Sequence, residues 1–250
     1  SKRRKMLVKS KVKYIQSLGQ KKFRQQEGVF IAEGPKLVNE LLTEHSGSVL
    51  EVFAIKNWIE ANGRLATNCD LTEITEGELE KISQLTTPNQ VLAIIKQSTP
   101  IKPVAEKEKF ILVLDGIQDP GNLGTIIRIA DWFGVQHIVC SEDSADSYNP
   151  KVVQSTMGSI GRVNVFYTSL TKWLGEQQDA RIYAAVLEGQ DITRMQQPGG
   201  GLIVIGNESK GISEEVLRFC NVSITIPQKG KAESLNAAVA TGIILSHFCK

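Results

Sequence analysis

The chain has 250 residues, 41% hydrophobic and 22% charged, which excludes a low-complexity polymer and suffices for one large or two modest packed domains. Its four cysteines (Cys69, Cys140, Cys220, Cys249) hold no C-x-x-C pair, and its three histidines (His45, His137, His247) join no ligand-spaced set, so a reduced, metal-free protein is expected. The net charge of +2 hides an asymmetry: ten basic residues and no acid precede Glu27, leaving 19 basic against 27 acidic residues in the remainder.

Those ten are Lys2, Arg3, Arg4, Lys5, Lys9, Lys11, Lys13, Lys21, Lys22 and Arg24, and such a concentration suits a segment that meets polyphosphate. A solvated tail or helix face is the competing reading. An anionic membrane is a weaker one, because Leu7, Val8, Val12, Tyr14, Ile15 and Leu18 make only a thin apolar stripe. With no apolar run of 18 residues and no secretion-signal pattern, a cytoplasmic protein without a membrane span is expected.

In chain order, helical patterns over 9–24 and 34–45 alternate with apolar runs at Val49–Ile55 and Val91–Ile95, which predicts a small α/β domain over residues 1–100. Residues 101–109, within a proline- and charge-rich stretch, read as a linker. Over 110–250 the runs Phe110–Asp115, His137–Cys140, Arg162–Tyr167, Ile182–Val186, Leu202–Ile205 and Val222–Ile226 are apolar without alternation, the mark of strands buried on both faces. Helical segments at 125–133, 150–160, 170–177, 213–219 and 235–248 separate most of them. The prediction is an α/β fold with a mostly parallel sheet covered on both sides, and ligands belong at the strands' carboxyl ends.

Three loops sit at such ends. After Asp115 comes Gly-Ile-Gln-Asp-Pro-Gly-Asn-Leu-Gly124, opening a helix that carries Arg128, with Asn122 expected as its N-cap. After Ile205 comes Gly206-Asn-Glu-Ser-Lys-Gly211, whose glycines permit positive φ and close approach of a ligand, and which carries Glu208. After Ile226 a polar loop carries Ser234 and Asn236 into an Ala-rich helix. Each has a purely structural reading as a turn, a solvent-facing acid or a helix cap.

Together the three resemble the motifs of the SpoU/TrmH methyltransferases in the SPOUT superfamily: N-x-G-x-x-x-R (Asn122, Gly124, Arg128), G-N-E-x-x-G (Gly206 to Gly211) and I-P followed by S-L-N (Ile226, Pro227, Ser234, Leu235, Asn236). The first hundred residues, with Phe30-Ile-Ala-Glu-Gly34 and Thr86–Ala93, look like the ribosomal-protein-like substrate-binding domain that precedes many members. The resemblance implies a trefoil-knotted sheet, a homodimer with sites completed across the interface, and transfer of a methyl group from S-adenosylmethionine to an RNA ribose 2′-hydroxyl. It places the donor against Leu187, Gly206, Ile226 and Leu235, makes Asn122, Arg128, Glu208, Ser234 and Asn236 the catalytic candidates, and turns the basic residues into RNA contacts. Ribosomal RNA is the first substrate expected and transfer RNA the second.

Physical chemistry agrees in part. The donor carries no phosphate, and no G-x-G-x-x-G follows the first strand, which disfavours a nicotinamide oxidoreductase despite Glu142 and Asp143 after the second. A guanidinium stays charged at any working pH, so Arg128 is expected to bind phosphate and favour the alkoxide while Glu208 or the phosphate takes the proton. A non-catalytic RNA-binding module is the remaining alternative.

Overall fold

The computed structural model describes residues 6–250, so Lys2, Arg3, Arg4 and Lys5 lie outside the described residues. Two compact units emerge: residues up to Thr99 with Tyr148–Gly161, and Pro100–Ser147 with Arg162–Lys250.

The first part of the chain folds as α1 (Lys9–Ser17), α2 (Lys21–Glu27), β1 (Val29–Glu33), α3 (Pro35–Glu44), β2 (Val49–Ala54), α4 (Lys56–Asn62), β3 (Asp70–Glu73), α5 (Glu76–Ile82) and β4 (Val91–Lys96). The four strands form one sheet in the order β1-β4-β2-β3. Ile15 and Leu18 pack with Val29, Ile31, Phe53, Leu92 and Ile94 in the core, which ties the basic segment to the fold. The single helix expected over 9–24 is two, broken at Leu18-Gly19-Gln20. The break has a cause: Arg24 is 1% exposed, and its Nη1 donates to the carbonyls of Leu18 and Gly19 at 3.1 and 3.0 Å. α5 starts with a reciprocal cap, the Glu78 amide donating to Thr75 Oγ1 and the Thr75 amide to Glu78 Oε1.

The rest of the chain folds as β5 (Phe110–Asp115), α6 (Pro120–Trp132), β6 (His137–Cys140), α7 (Pro150–Thr156), β7 (Asn164–Tyr167), α8 (Leu170–Gly175), β8 (Ile182–Asp191), β9 (Gly201–Gly206), α9 (Glu214–Leu217), β10 (Val222–Thr225) and α10 (Ala237–Phe248). The range 110–250 is interrupted, because residues 148–161 cluster with the first unit. There the Tyr148 ring stacks on Phe30 at 4.7 Å, and Gln154 donates to the carbonyl of Glu33 on edge strand β1.

The six strands of the second unit are parallel, in the order β10-β8-β9-β5-β6-β7. Their apolar runs fill a core of Ile111, Val113, Val139, Ala184, Leu202 and Val204, closed by Trp173 of α8 and Val216 of α9. The chain builds outward from β5 through β6 to β7, then returns to lay β8 and β9 on the other side. The winding reverses between β5 and β9, and at such a reversal the loops beyond the carboxyl ends part to leave a crevice. β8 runs beyond the expected Val186 to Asp191, because its register with β10 jumps from Ala184 to Gln190.

Candidate active site

The loop after β5 is held from two sides. The Asp115 carboxylate accepts the Ser213 amide at 2.8 Å, and the Gly116 carbonyl accepts from Asn207 Nδ2 at 2.7 Å. Asn122 is not the cap of α6. Asp119 is, with Pro120 at the first helical position, and the Asn122 amide donates to Asp119 Oδ2 at 2.8 Å. This frees the Asn122 side chain for the site.

The loop after β9 is wired by Asn207, whose Oδ1 accepts from the amides of Ser209 and Lys210 and from the Ser209 hydroxyl. Its amide and carbonyl pair with those of Gly211 at 3.0 Å each. Gly211 has φ +70°, as its composition suggested, but Gly206 is glycine for a different reason. A Cβ there would lie 2.3 Å from the Gly211 carbonyl carbon, so the loop's own closure excludes any side chain.

These supports bring Asn122, Glu208 and Asn236 into one chain of hydrogen bonds. Asn236 Nδ2 donates to Asn122 Oδ1 at 2.8 Å, Asn122 Nδ2 donates to Glu208 Oε1 at 3.3 Å, and the Asp119 amide donates to the same oxygen at 3.2 Å. Asn236 Oδ1 caps α10, accepting from the Ala238 and Val239 amides. The N-terminus of α6 thus meets the Glu208 carboxylate through the Asp119 amide, the arrangement its dipole favours, and the α10 N-cap is joined to it through Asn122. Glu208 Oε2 has no partner among the described residues, which leaves one open acceptor at the crevice.

Arg128 and Ser234 do not join this chain. Arg128 stands six residues beyond Asn122 on α6, about 9 Å along the axis, exposed and without an ion pair among the described residues. Ser234 is exposed in the loop before α10. Leu187 and Leu235 are 73% and 49% exposed at the same rim, and Ile226 is half-buried. The Leu187 carbonyl accepts from Thr225 Oγ1 at 3.0 Å, which ties the unpaired middle of β8 to the end of β10.

Of the basic candidates, Arg24 is corrected: its burial and bonding make it a brace for the turn between α1 and α2. Lys11 pairs with Glu51 at 2.8 Å. Lys9, Lys13, Lys21 and Lys22 are exposed. Sequence reasoning missed Asp119 as a member of the site, although Asp followed by Pro ahead of a helical run is a legible cap signal. It also missed Asp115 and the bridging role of Asn207, which no local pattern announces.

Residues 109–246 match the SpoU rRNA Methylase family, and residues 9–93 match the MRM3-like substrate binding domain. The chain is 30% identical over 241 residues to the 23S rRNA (guanosine(2553)-2′-O)-methyltransferase RlmP of Bacillus subtilis, covering 95% of each chain. Among solved structures it is similar to a TrmH-family protein of Porphyromonas gingivalis (35% identity, TM-score 0.86, 98% of each chain). It is also similar to an AdoMet-bound rRNA methyltransferase of Sinorhizobium meliloti (29% identity, TM-score 0.85, 98% of this chain and 96% of that one). With Asn122, Glu208 and Asn236 joined at the reversal point of a parallel sheet and a family match over more than half its length, the chain belongs to the SpoU rRNA methylase family.

Proposed function

We propose that this chain transfers the methyl group of S-adenosylmethionine to a ribose 2′-hydroxyl of a structured RNA, with ribosomal RNA as the first substrate class and transfer RNA as the second. The observation that carries this reading is the Glu208–Asn122–Asn236 chain of hydrogen bonds, set where the sheet reverses its winding. Residues 1–100 serve as the RNA-binding domain, 101–109 as the linker and 110–250, apart from the 148–161 segment, as the methyl-transferring part, acting in the cytoplasm. In the first part the exposed Lys9, Lys13, Lys21 and Lys22 supply phosphate contacts.

The rim fits the cofactor. Leu187 and Leu235 are large apolar side chains exposed among polar loops, a combination that suits walls for an adenine and a thioether, with Ile226 and the Gly206 backbone completing the pocket. When bound, the cofactor supplies a methyl group on a positive sulfonium, so alignment of the nucleophile is a large part of what the protein can contribute.

The 2′-hydroxyl is a weak nucleophile and must lose its proton. Glu208 Oε2 is the open acceptor on a carboxylate whose other oxygen is fixed by Asn122 and Asp119. The Arg128 guanidinium holds the neighbouring phosphate and stabilises the developing alkoxide, and that phosphate is the alternative proton acceptor. Ser234 and Asn236 orient the ribose. Arg128 stands apart from the network within one chain, which supports a homodimer in which it serves a site completed across the interface. The last segment is assigned the threaded path of a trefoil knot.

Titration calorimetry with S-adenosylmethionine tests the reading. Saturable binding of one cofactor per chain is expected, weakened by Leu187→Asp. RNA binding without any cofactor binding would instead make the chain a non-catalytic RNA-binding module.

A further inference from the structure

A strand brought to Glu208 carries one negative charge per nucleotide to a rim where Asp115, Asp119 and Glu208 are already fixed in place. Besides Arg128, further cations on the same unit can offset that repulsion beside the target. The loop between β10 and α10 offers them. Gln228 Nε2 donates to the Ala232 carbonyl and closes residues 228–232 into a compact turn. Lys229, Gly230 and Lys231 form its tip, all exposed.

Neither ammonium is in an ion pair with a described residue. Lys229 stands near Asp191, whose carboxyl is held below its usual range first by the Thr193 hydroxyl and amide and, as the smallest contribution, by Lys229. Those two donors share Asp191 Oδ1, Oδ2 faces the Arg194 guanidinium at 3.7 Å, and Lys229 makes no hydrogen bond with a described residue, so its own hydrogen bonds are available to a ligand. The turn leads within five residues to Asn236, which is bonded to Asn122, so the loop that displays the lysines is anchored in the catalytic network. Its closure presents both cations on one short, pre-formed element, which lowers the ordering cost of gripping a strand.

We propose that Lys229 and Lys231 clamp the phosphodiester backbone of the RNA beside the target ribose. This rests on the methyl-transfer reading above. The clamp acts on position rather than on sequence, because phosphate contacts fix register and carry no base information.

The test uses the Lys229→Gln/Lys231→Gln protein with an unmodified 23S ribosomal RNA transcript, measuring affinity against salt, KM against kcat, and cofactor affinity by calorimetry. Loss of two single-strand contacts should reduce the slope of log K against log[salt] by about 1.4. Catalytic efficiency should fall through KM for RNA, and the Lys229→Arg/Lys231→Arg protein should recover both. An unchanged slope and KM would overturn the clamp, as would a variant whose only change is weakened cofactor binding, since that marks a structural loop. If the wild-type protein transfers no methyl while the double variant still lowers the slope, the clamp stands and the methyl-transfer reading falls.

Discussion

Asn236 serves two structures with one amide. Its oxygen caps α10 through the Ala238 and Val239 amides, and its nitrogen donates to Asn122, which in turn holds Glu208. The roles can be separated, because serine caps a helix but is too short to bridge to Asn122. Asn236→Ala should lose about 1 kcal/mol of stability with the cap and most of the methyl transfer. Asn236→Ser should unfold at nearly the wild-type temperature yet stay as slow as the alanine variant. Thermal melts with initial rates decide it, and a serine variant of normal activity would confine Asn236 to capping. Arg24 makes the opposite case, a predicted contact that proves to be architecture. Arg24→Met should cost about 1–3 kcal/mol by leaving two carbonyls without their donor, with RNA affinity of the folded protein unchanged. Weaker RNA binding without lost stability would return Arg24 to the interface.

At the level of elements, strand β6 begins at His137, whose Nδ1 accepts from Asn164 Nδ2 at 3.0 Å, while the same amide donates to the Ile101 carbonyl at 2.8 Å. Burial lowers the His137 pKa most; Glu106 opposes that and Lys109 adds to it. The unfolded chain therefore takes the proton first. The stability from neutral His137 is complete above about pH 6.5 and is lost as pH falls through the lower folded value. The melting temperature of the wild-type protein should drop more between pH 7.5 and 5.5 than that of His137→Gln, and parallel curves would contradict this.

The strands of the second unit were legible because burial on both faces demands unbroken apolar runs, and Phe110–Asp115 and His137–Cys140 begin and end where expected. Strand β3, Asp-Leu-Thr-Glu, was not, being a polar edge strand whose place comes from pairing with β2. Nor was the association of α7 with the first unit, since the Tyr148–Phe30 stack joins residues far apart in sequence. The three site loops could be read individually. The direction of their hydrogen bonds could not, because Asn122 finds Glu208 and Asn236 at separations of 86 and 114 residues.

For the whole molecule, the separation of Arg128 from the Glu208–Asn122–Asn236 chain makes its role a question of assembly. If sites are shared between protomers, mixing Arg128→Ala with Glu208→Ala chains should restore activity to about a quarter of the wild-type level, because half the dimers are mixed and each regains one intact site. If each site is self-contained, every site in the mixture keeps a defect and no activity returns. The claim beneath all of this is that the crevice methylates a ribose hydroxyl. It is met most directly by incubating the protein with labelled S-adenosylmethionine and an unmodified 23S ribosomal RNA transcript, then hydrolysing the RNA in alkali, which a 2′-O-methyl group blocks at its own linkage. Label is expected in alkali-resistant dinucleotides, and almost none with Arg128→Ala. Label released in ordinary mononucleotides, which marks methylation of a base, would contradict ribose methylation, as undiminished transfer by Arg128→Ala would contradict the part given to Arg128.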